Sequence, residues 1–410
     1  MNASDNPASP LDGLLIVDAD THFSEPHDLW VSRAPASWKS RVPQVITVDG
    51  TRRWMIDGEK LIEEGGGHHS AIRSDGSKAE GWGFWTLPFE EIHPAAYDIR
   101  ARLQHMDAQG VWAQIVYPNV MGFGGQRAAG FDRELKRISV EIYNDAMVDL
   151  QRDSGGRLCP MALLPWWDIP LAVAEARRAA AMGLRGININ PDPQSVAGLP
   201  DLGTRDWDPL WEICEALSLP VNFHIGSSGG ALDWFGHAPW PSSDWDTKLV
   251  IGSAALYWNN SRIIMNLMMS GLLDRFPKLQ FVSIEGGIGW IPFMLQAMEY
   301  LIGEGSGAMR QRMSLTPTEY FARNFHACFW FENRGLAEIV SRVGADRILF
   351  ETDFPHPACL YPAFTPSLVA ELGRLDLQSR RRIMGLNAQH LYAIAGPETS
   401  AVETAPSERA

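Results

Sequence analysis

Within residues 14–26, LLIVDADTHFSEP, an apolar run stops abruptly and three carboxylates and an imidazole follow: Asp18, Asp20, His22 and Glu25. The run reads as a buried parallel strand, since such strands are apolar on both faces. If the strand continues to His22, residues 20 and 22 point the same way. A carboxylate and an imidazole converging at a strand end are the start of a divalent-metal site. A turn-capping Asp20 and a hydrogen-bonded core His22 would explain the same tripeptide equally well. The choice depends on where other chemically active residues fall.

Three more lie at the ends of apolar runs. His224 is near the end of 219–225 (LPVNFHI), Glu285 ends 279–285, and Asp353 ends 347–353 (RILFETD), with His356 three residues on. Further strand candidates are 111–117, 157–165, 184–190 and 325–331, giving eight with the first. Helical spacing fills most gaps, at 97–109, 131–152, 170–182, 207–217, 261–276, 288–302, 335–343 and 375–395. Eight apolar strands alternating with helices describe a (β/α)8 TIM-type barrel, an α/β fold whose active site lies at the carboxyl ends of its strands. Asp20, His22, His224, Glu285 and Asp353 all occupy such ends, so one shared metal site accounts for all five.

The barrel domain is expected over 14–395, after a mobile stretch at 1–13 and before a disordered tail at 396–410. Residues 23–94 break the rhythm and read as a cap inserted after strand 1. Within them, 44–62 predicts a β-hairpin turning at Asp49-Gly50, with a second turn signal at Asp57-Gly58. The loop GGGHH at 65–69 places His68 and His69 in solvent, and Trp82, Phe84 and Trp85 form an aromatic patch. Residues 226–258 read as irregular, with Trp234, Trp240 and Trp245 as pocket or lid. Arg100 and Arg102 read as a helix face.

Composition narrows the partners. A net charge of −14 over 410 residues argues against nucleic acid and anionic membranes. No apolar stretch is long enough to span a bilayer, and no signal-peptide pattern opens the sequence. The four cysteines lack metal-ligand spacing and read as buried free thiols, which fits a cytoplasmic protein. Sixteen tryptophans point to a large core or an aromatic-lined pocket for a small molecule. The helical side of the barrel is apolar enough for a homodimer.

Taken in order, Asp20-Thr21-His22 with Glu25-Pro26, Phe223-His224 and Thr352-Asp353-Phe354-Pro355-His356 resemble the amidohydrolase superfamily. The similarity is to its amidohydrolase-related branch, which includes aminocarboxymuconate-semialdehyde decarboxylase and γ-resorcylate decarboxylase. Residues 106–111 (MDAQGV), 270–277 (SGLLDRFP) and 387–392 (NAQHLY) extend it from about Ile16 to Tyr392. The resemblance implies a single divalent metal, often zinc, held here by Asp20, His22, His224 and Asp353. Superfamily members with two metals carry a carboxylated lysine on strand 4, where this chain has Asn188-Ile189-Asn190. Decarboxylase relatives usually place a histidine on strand 6; this chain has Glu285, which can act as a general acid or base or bind metal itself.

The leading expectation is therefore a metal-dependent carboxy-lyase or hydrolase acting on an apolar or aromatic organic acid or ester-like substrate. Asp353 and Glu285 would exchange protons, and His356 would shuttle them or orient Asp353. A second expectation follows from counting Glu25 among the ligands. Two imidazoles and four carboxylates suit manganese or two irons, and thus a di-iron oxygenase. A third is an inactive binding barrel, which the retention of every ligand position opposes, because buried carboxylates without a metal repel one another.

Overall fold

The apolar runs become short strands because their side chains are enclosed on both faces. In the computed structural model, which describes residues 9–58, 60–63, 68–228, 242–305 and 307–397, the first is β1 (Val17–His22). The inserted β2 (Gln44–Val48), β3 (Thr51–Ile56) and β4 (Lys60–Glu63) follow. The remaining strands are β5 (Ala113–Tyr117), β6 (Leu158–Pro160), β7 (Ala162–Leu163), β8 (Ile187–Asn188), β9 (Val221–His224), β10 (Phe281–Ile284), β11 (Phe325–Phe329) and β12 (Ile348–Phe350).

Parallel ladders run β1-β5-β6 and β12-β11-β10-β9-β8-β7. Two seams join these sheets into the expected TIM-type barrel. On one side only Met161 separates β6 from β7; its N–H donates to Val116 (3.0 Å), and that of Ala162 donates to Gly186 (3.0 Å). On the other, the Asp353 N–H donates to Asp20 O (2.9 Å) and the His22 N–H to Phe354 O (2.8 Å).

Asp18 locks this second seam. Its carboxylate accepts from Thr352 N (2.8 Å), Thr352 Oγ1 (2.6 Å) and Gln114 Nε2 (3.2 Å). Gln114 Oε1 in turn accepts from Arg102 Nη1 (2.9 Å). Arg102, on a helix face as expected, is fully buried between the rings of Phe23 and Phe354 and also donates to the carbonyls of Ala95 and His22. Its neighbour Arg100 is exposed. Burial pushes the Asp18 carboxyl up to about 7, against the pull of its hydrogen bonds.

Inside the barrel Val17, Ala19, Ile115, Tyr117, Met161, Val282, Ile284, Cys328 and Leu349 pack together, and Tyr392 and Ile394 plug the end where the strands begin. The larger apolar cluster, including Val116, Phe223, Phe281, Phe329 and Phe350, lies between the strands and their helices. All four cysteines are buried and free. Helix ends follow local chemistry: the Asp98 carboxylate caps Ile99–Gln109, and Gly110 ends it with φ 69°.

The expected hairpin forms, with Val48 facing Thr51 across Asp49-Gly50, and β4 extends it to a three-stranded antiparallel sheet. Trp54 carries this sheet onto Trp30 (5.4 Å between ring centres) beside the exit of β1. Two expectations fail locally. His68 and His69 are buried, because the strap after the hairpin crosses the barrel mouth and its Ala71 N–H donates to Pro355 O (2.9 Å). Part of the region read as irregular is a helix, Trp245–Tyr257, capped by Asp244, with Trp245 exposed. Residues 9–13 form a hydrogen-bonded turn, Asp12 N–H to Ser9 O. Trp234, Trp240 and most of the 396–410 tail lie outside the described residues. No described helix is long and apolar enough to cross a membrane.

Asp18→Ala would leave two donors of Thr352 and the Gln114 amide facing an empty acceptor position. It should cost about 2–3 kcal/mol of stability, seen as a lower urea midpoint with an unchanged m-value. A loss under about 0.5 kcal/mol would show that the seam closes without Asp18.

Candidate metal centre

Strand alternation alone would not bring Asp20 and His22 to the barrel axis after Val17 and Ala19, which already point inward. The β1–β5 register shifts between Asp18 and Thr21, and this bulge moves the inward phase by one residue. Asn222 and His224 of β9 keep the ordinary alternation, as do Leu349, Glu351 and Asp353 along β12 and its exit. Glu285 and Asp353 take left-handed backbone conformations, φ 59° and 60°, just past β10 and β12. For non-glycine residues that conformation costs roughly 1–2 kcal/mol each, and such strain gathers at functional sites.

The side chains meet at the mouth. His22 Nε2 lies 3.2 Å from His224 Nε2, 3.6 Å from Asp20 Oδ1 and 3.5 Å from Asp353 Oδ1. His224 Nε2 lies 3.5 Å from Asp20 Oδ2, and its Nδ1 lies 3.6 Å from Glu285 Oε2. That Nδ1 is also 2.7 Å from Ile225 O, an acceptor only, so it carries the proton and Nε2 is left with a lone pair toward Asp20 and His22. Three overlapping sets have ligand atoms within 4.8 Å of one another: Asp20, His22 and His224; His22, Asp353 and His356; Asp20, Glu285 and Asp353.

These residues fit a divalent cation on a physical test. Neither oxygen of Asp20 or of Asp353 accepts a hydrogen bond, although both residues are fully buried. Bare carboxylate oxygens in such a setting are very costly unless a cation or proton satisfies them. Ligands bonded at 2.0–2.2 Å around a tetrahedral centre lie about 3.3–3.6 Å apart, the spacing seen around His22 Nε2.

The electrostatics agree. Burial raises the Asp20 carboxyl despite the nearby His224. It raises Asp353 well above the carboxylate range, with Glu285 and Asp20 adding to the effect. Glu285 is pushed up to about 8, mainly by burial and against the pull of His224. Burial holds His22 well below its ordinary value, helped by the His356 and His224 rings. Burial also pulls on His224, but Asp20 and then Glu285 outweigh it and the net shift is upward.

Glu25 stands apart from the group. It is buried, but its Oε1 accepts from the N–H groups of Asn119 (2.8 Å) and Val120 (3.2 Å), and it belongs to none of the three sets. The two-histidine, four-carboxylate set expected for a di-iron centre thus loses the carboxylate it borrowed from the β1 loop. His356 joins the site: its ring stacks on His22 (3.6 Å between centres) and its Nδ1 lies 2.8 Å from Asp353 Oδ1. Phe123 packs against His22, His224 and His356 at 5.1, 4.4 and 5.6 Å.

Sequence reading missed Glu351, buried two residues before Asp353, whose Oε2 accepts from the Glu285 N–H (3.1 Å). A period of two along RILFETD pointed to it. Asn119 and Phe123 carried no such signal, being placed by the loop after β5.

A barrel with this site at the carboxyl ends of its strands defines a metal-binding hydrolase or lyase scaffold. The chain belongs to the Amidohydrolase family, whose profile matches residues 17–394. It is 25% identical to γ-resorcylate decarboxylase of Rhizobium radiobacter over 321 residues, 75% of this chain and 91% of that one. Its fold is similar to that of an amidohydrolase of Mycobacterium avium subsp. paratuberculosis, with TM-score 0.72 and 23% identity over 93% of this chain and 99% of that one. It is also similar to a dihydroxybenzoic acid decarboxylase of Polaromonas, solved with manganese and 2-nitroresorcinol, with TM-score 0.56 and 19% identity over 93% and 97% of the two chains.

Raised folded-state carboxyl pKa values give stability at low pH that is lost as pH rises. For the chelator-treated protein, stability should therefore fall between about pH 6.5, above which the depressed His22 and His356 are neutral in the folded and unfolded chain alike, and about 8, where Glu285 titrates. Added divalent metal should flatten that fall. Thermal melts across this range, with and without metal, check it; a chelated protein that gains stability toward pH 8 would contradict the carboxylate assignment.

Proposed function

We propose that the protein is a metal-dependent decarboxylase of small aromatic carboxylic acids. The observation that carries this reading is the unsatisfied pair of buried carboxylates, Asp20 and Asp353, converging with His22 and His224 under an aromatic wall. Asp20, His22 and His224 would hold one divalent ion, for which zinc and manganese both suit the mixed nitrogen and oxygen donors. When bound, the ion supplies Lewis-acid attraction for an anionic substrate oxygen.

The chain's own residues do the rest. Phe123 provides a flat face beside the three imidazoles, against which an aromatic ring can lie. Asp353, held protonated by burial and by its carboxylate neighbours, is the acid. The bond from ring carbon to carboxyl carbon breaks, carbon dioxide leaves, and the electron pair left on the ring carbon takes the Asp353 proton. His356, whose Nδ1 lies 2.8 Å from Asp353 Oδ1, accepts the hydrogen bond of the protonated acid and orients it, and Asp353 recovers its proton from solvent once the product has left. Glu285, grouped with Asp20 and Asp353, adds a carboxyl that burial also raises. The relatives named for γ-resorcylate and dihydroxybenzoic acid support an aryl acid with a hydroxyl beside the carboxylate.

The test is carbon dioxide release from 2,6-dihydroxybenzoate and related hydroxybenzoates by protein loaded with zinc or manganese. Asp353→Asn should keep about one metal per chain and lower turnover by roughly 10²- to 10⁴-fold. Asp20→Ala and His224→Ala should lose the metal. Hydrolysis of aryl esters without carbon dioxide release from any aryl acid would overturn the decarboxylase reading, and loss of metal from Asp353→Asn would make Asp353 a ligand.

A further inference from the structure

Glu25 and Asn119 are buried polar residues outside the metal group, and the chemistry proposed above makes no use of either. Every polar atom of Asn119 has a partner. Its Nδ2 donates to Phe23 O (3.1 Å) and Glu25 Oε2 (3.2 Å), its N–H donates to Glu25 Oε1 (2.8 Å), and its backbone O accepts from Arg127 Nη1 (3.2 Å). That leaves Oδ1, which lies 3.0 Å from His356 Nε2.

The amide cannot be turned over. A flip would aim Oδ1 at the Phe23 carbonyl and the Glu25 carboxylate, both acceptors, and lose two hydrogen bonds in a buried setting. Glu25 is held in turn by the Asn119 and Val120 N–H groups, on the loop that leaves β5. With Oδ1 fixed toward it, His356 Nε2 must be the donor. The neutral ring then carries its proton on Nε2, and its Nδ1 lone pair points at Asp353 Oδ1, 2.8 Å away. The stack on His22 holds the ring plane (3.6 Å between centres, 20° between planes).

We infer that Glu25 and Asn119 form a clamp of positioning residues that fixes the His356 tautomer, with the proton on Nε2 and the lone pair on Nδ1 aimed at Asp353. This deepens the decarboxylase reading and rests on it only for what the aimed nitrogen does in turnover. Glu25 thus serves the site from a distance, by setting which nitrogen of His356 carries the proton. Fixing a histidine through the group on its far nitrogen is a general device, and removing such a partner typically lowers activity or metal affinity by about 10- to 100-fold.

The experiment is nitrogen NMR of full-length, zinc-loaded protein labelled at histidine nitrogens, with His356 assigned by its loss in His356→Gln. In wild type, Nε2 should show the protonated signature with a directly bonded hydrogen, and Nδ1 should show none. A wild-type His356 protonated on Nδ1, alone or together with Nε2, would overturn the clamp whatever the variants do. Asn119→Leu removes the acceptor at similar volume and should move the proton to Nδ1, where it donates to Asp353. Metal content should be unchanged and kcat should fall by about 10- to 100-fold, with KM near its wild-type value. An Asn119→Leu protein that folds, binds metal and keeps the Nε2–H tautomer would also overturn it. The tautomer is read without substrate, so the expected spectra in a protein that releases no carbon dioxide would support the clamp while removing the decarboxylase reading.

Discussion

The hydrogen bonds from Thr352 and Gln114 onto the Asp18 carboxylate hold together the two strands on which the site depends most. Asp20 and His22 leave β1 on one side of that seam, and Asp353 and His356 leave β12 on the other. Regular ladder pairing does not span the gap, and only two backbone bonds, through Asp20 and Phe354, cross it beside the carboxylate. Arg102 supports the arrangement from beneath, since its guanidinium reaches both Gln114 and the His22 carbonyl. A buried carboxylate whose donors are all supplied locally is directional, whereas apolar contact there would let the strands slide.

The mouth shows the opposite policy. There the carboxylates of Asp20 and Asp353 are buried and deliberately left without donors, and two residues sit in left-handed backbone. Such a cluster opposes folding on its own, because each charge is desolvated beside others of the same sign. The surrounding barrel, with apolar clusters on both faces of its strands, is what holds it in place. A divalent cation or a set of shared protons relieves the repulsion, which couples metal affinity, proton affinity and stability in one group of residues. His356, 2.8 Å from Asp353 Oδ1, and Glu285, 3.6 Å from His224 Nδ1, border this group and lie within its field.

The sequence by itself determined which side chains meet. Apolar runs with Asp20, His22, His224, Glu285 and Asp353 at their ends force those residues to one rim once the runs are parallel neighbours, because all strands of such a barrel point the same way. The Asp49-Gly50 hairpin and the helix spacing were legible for the same reason: each depends on contacts a few residues apart. Only the tertiary structure decided what each polar residue faces. Glu25 looked like a ligand by proximity in the chain, yet the loop after β5 brings two N–H groups to its carboxylate first. His69 looked solvated by the composition of its loop, yet the strap over the mouth buries it, and Arg102, legible only as a helix-face residue, is buried at the barrel seam. Asn119 and Phe123 gave no sign at all, since partners far away in the chain, 94 and 237 residues from Asn119, define their roles. Local pattern fixes periodicity and therefore position along an element. The partner of a buried polar group is set by whichever distant donor or acceptor the packed fold delivers to it, and no single stretch of sequence encodes that.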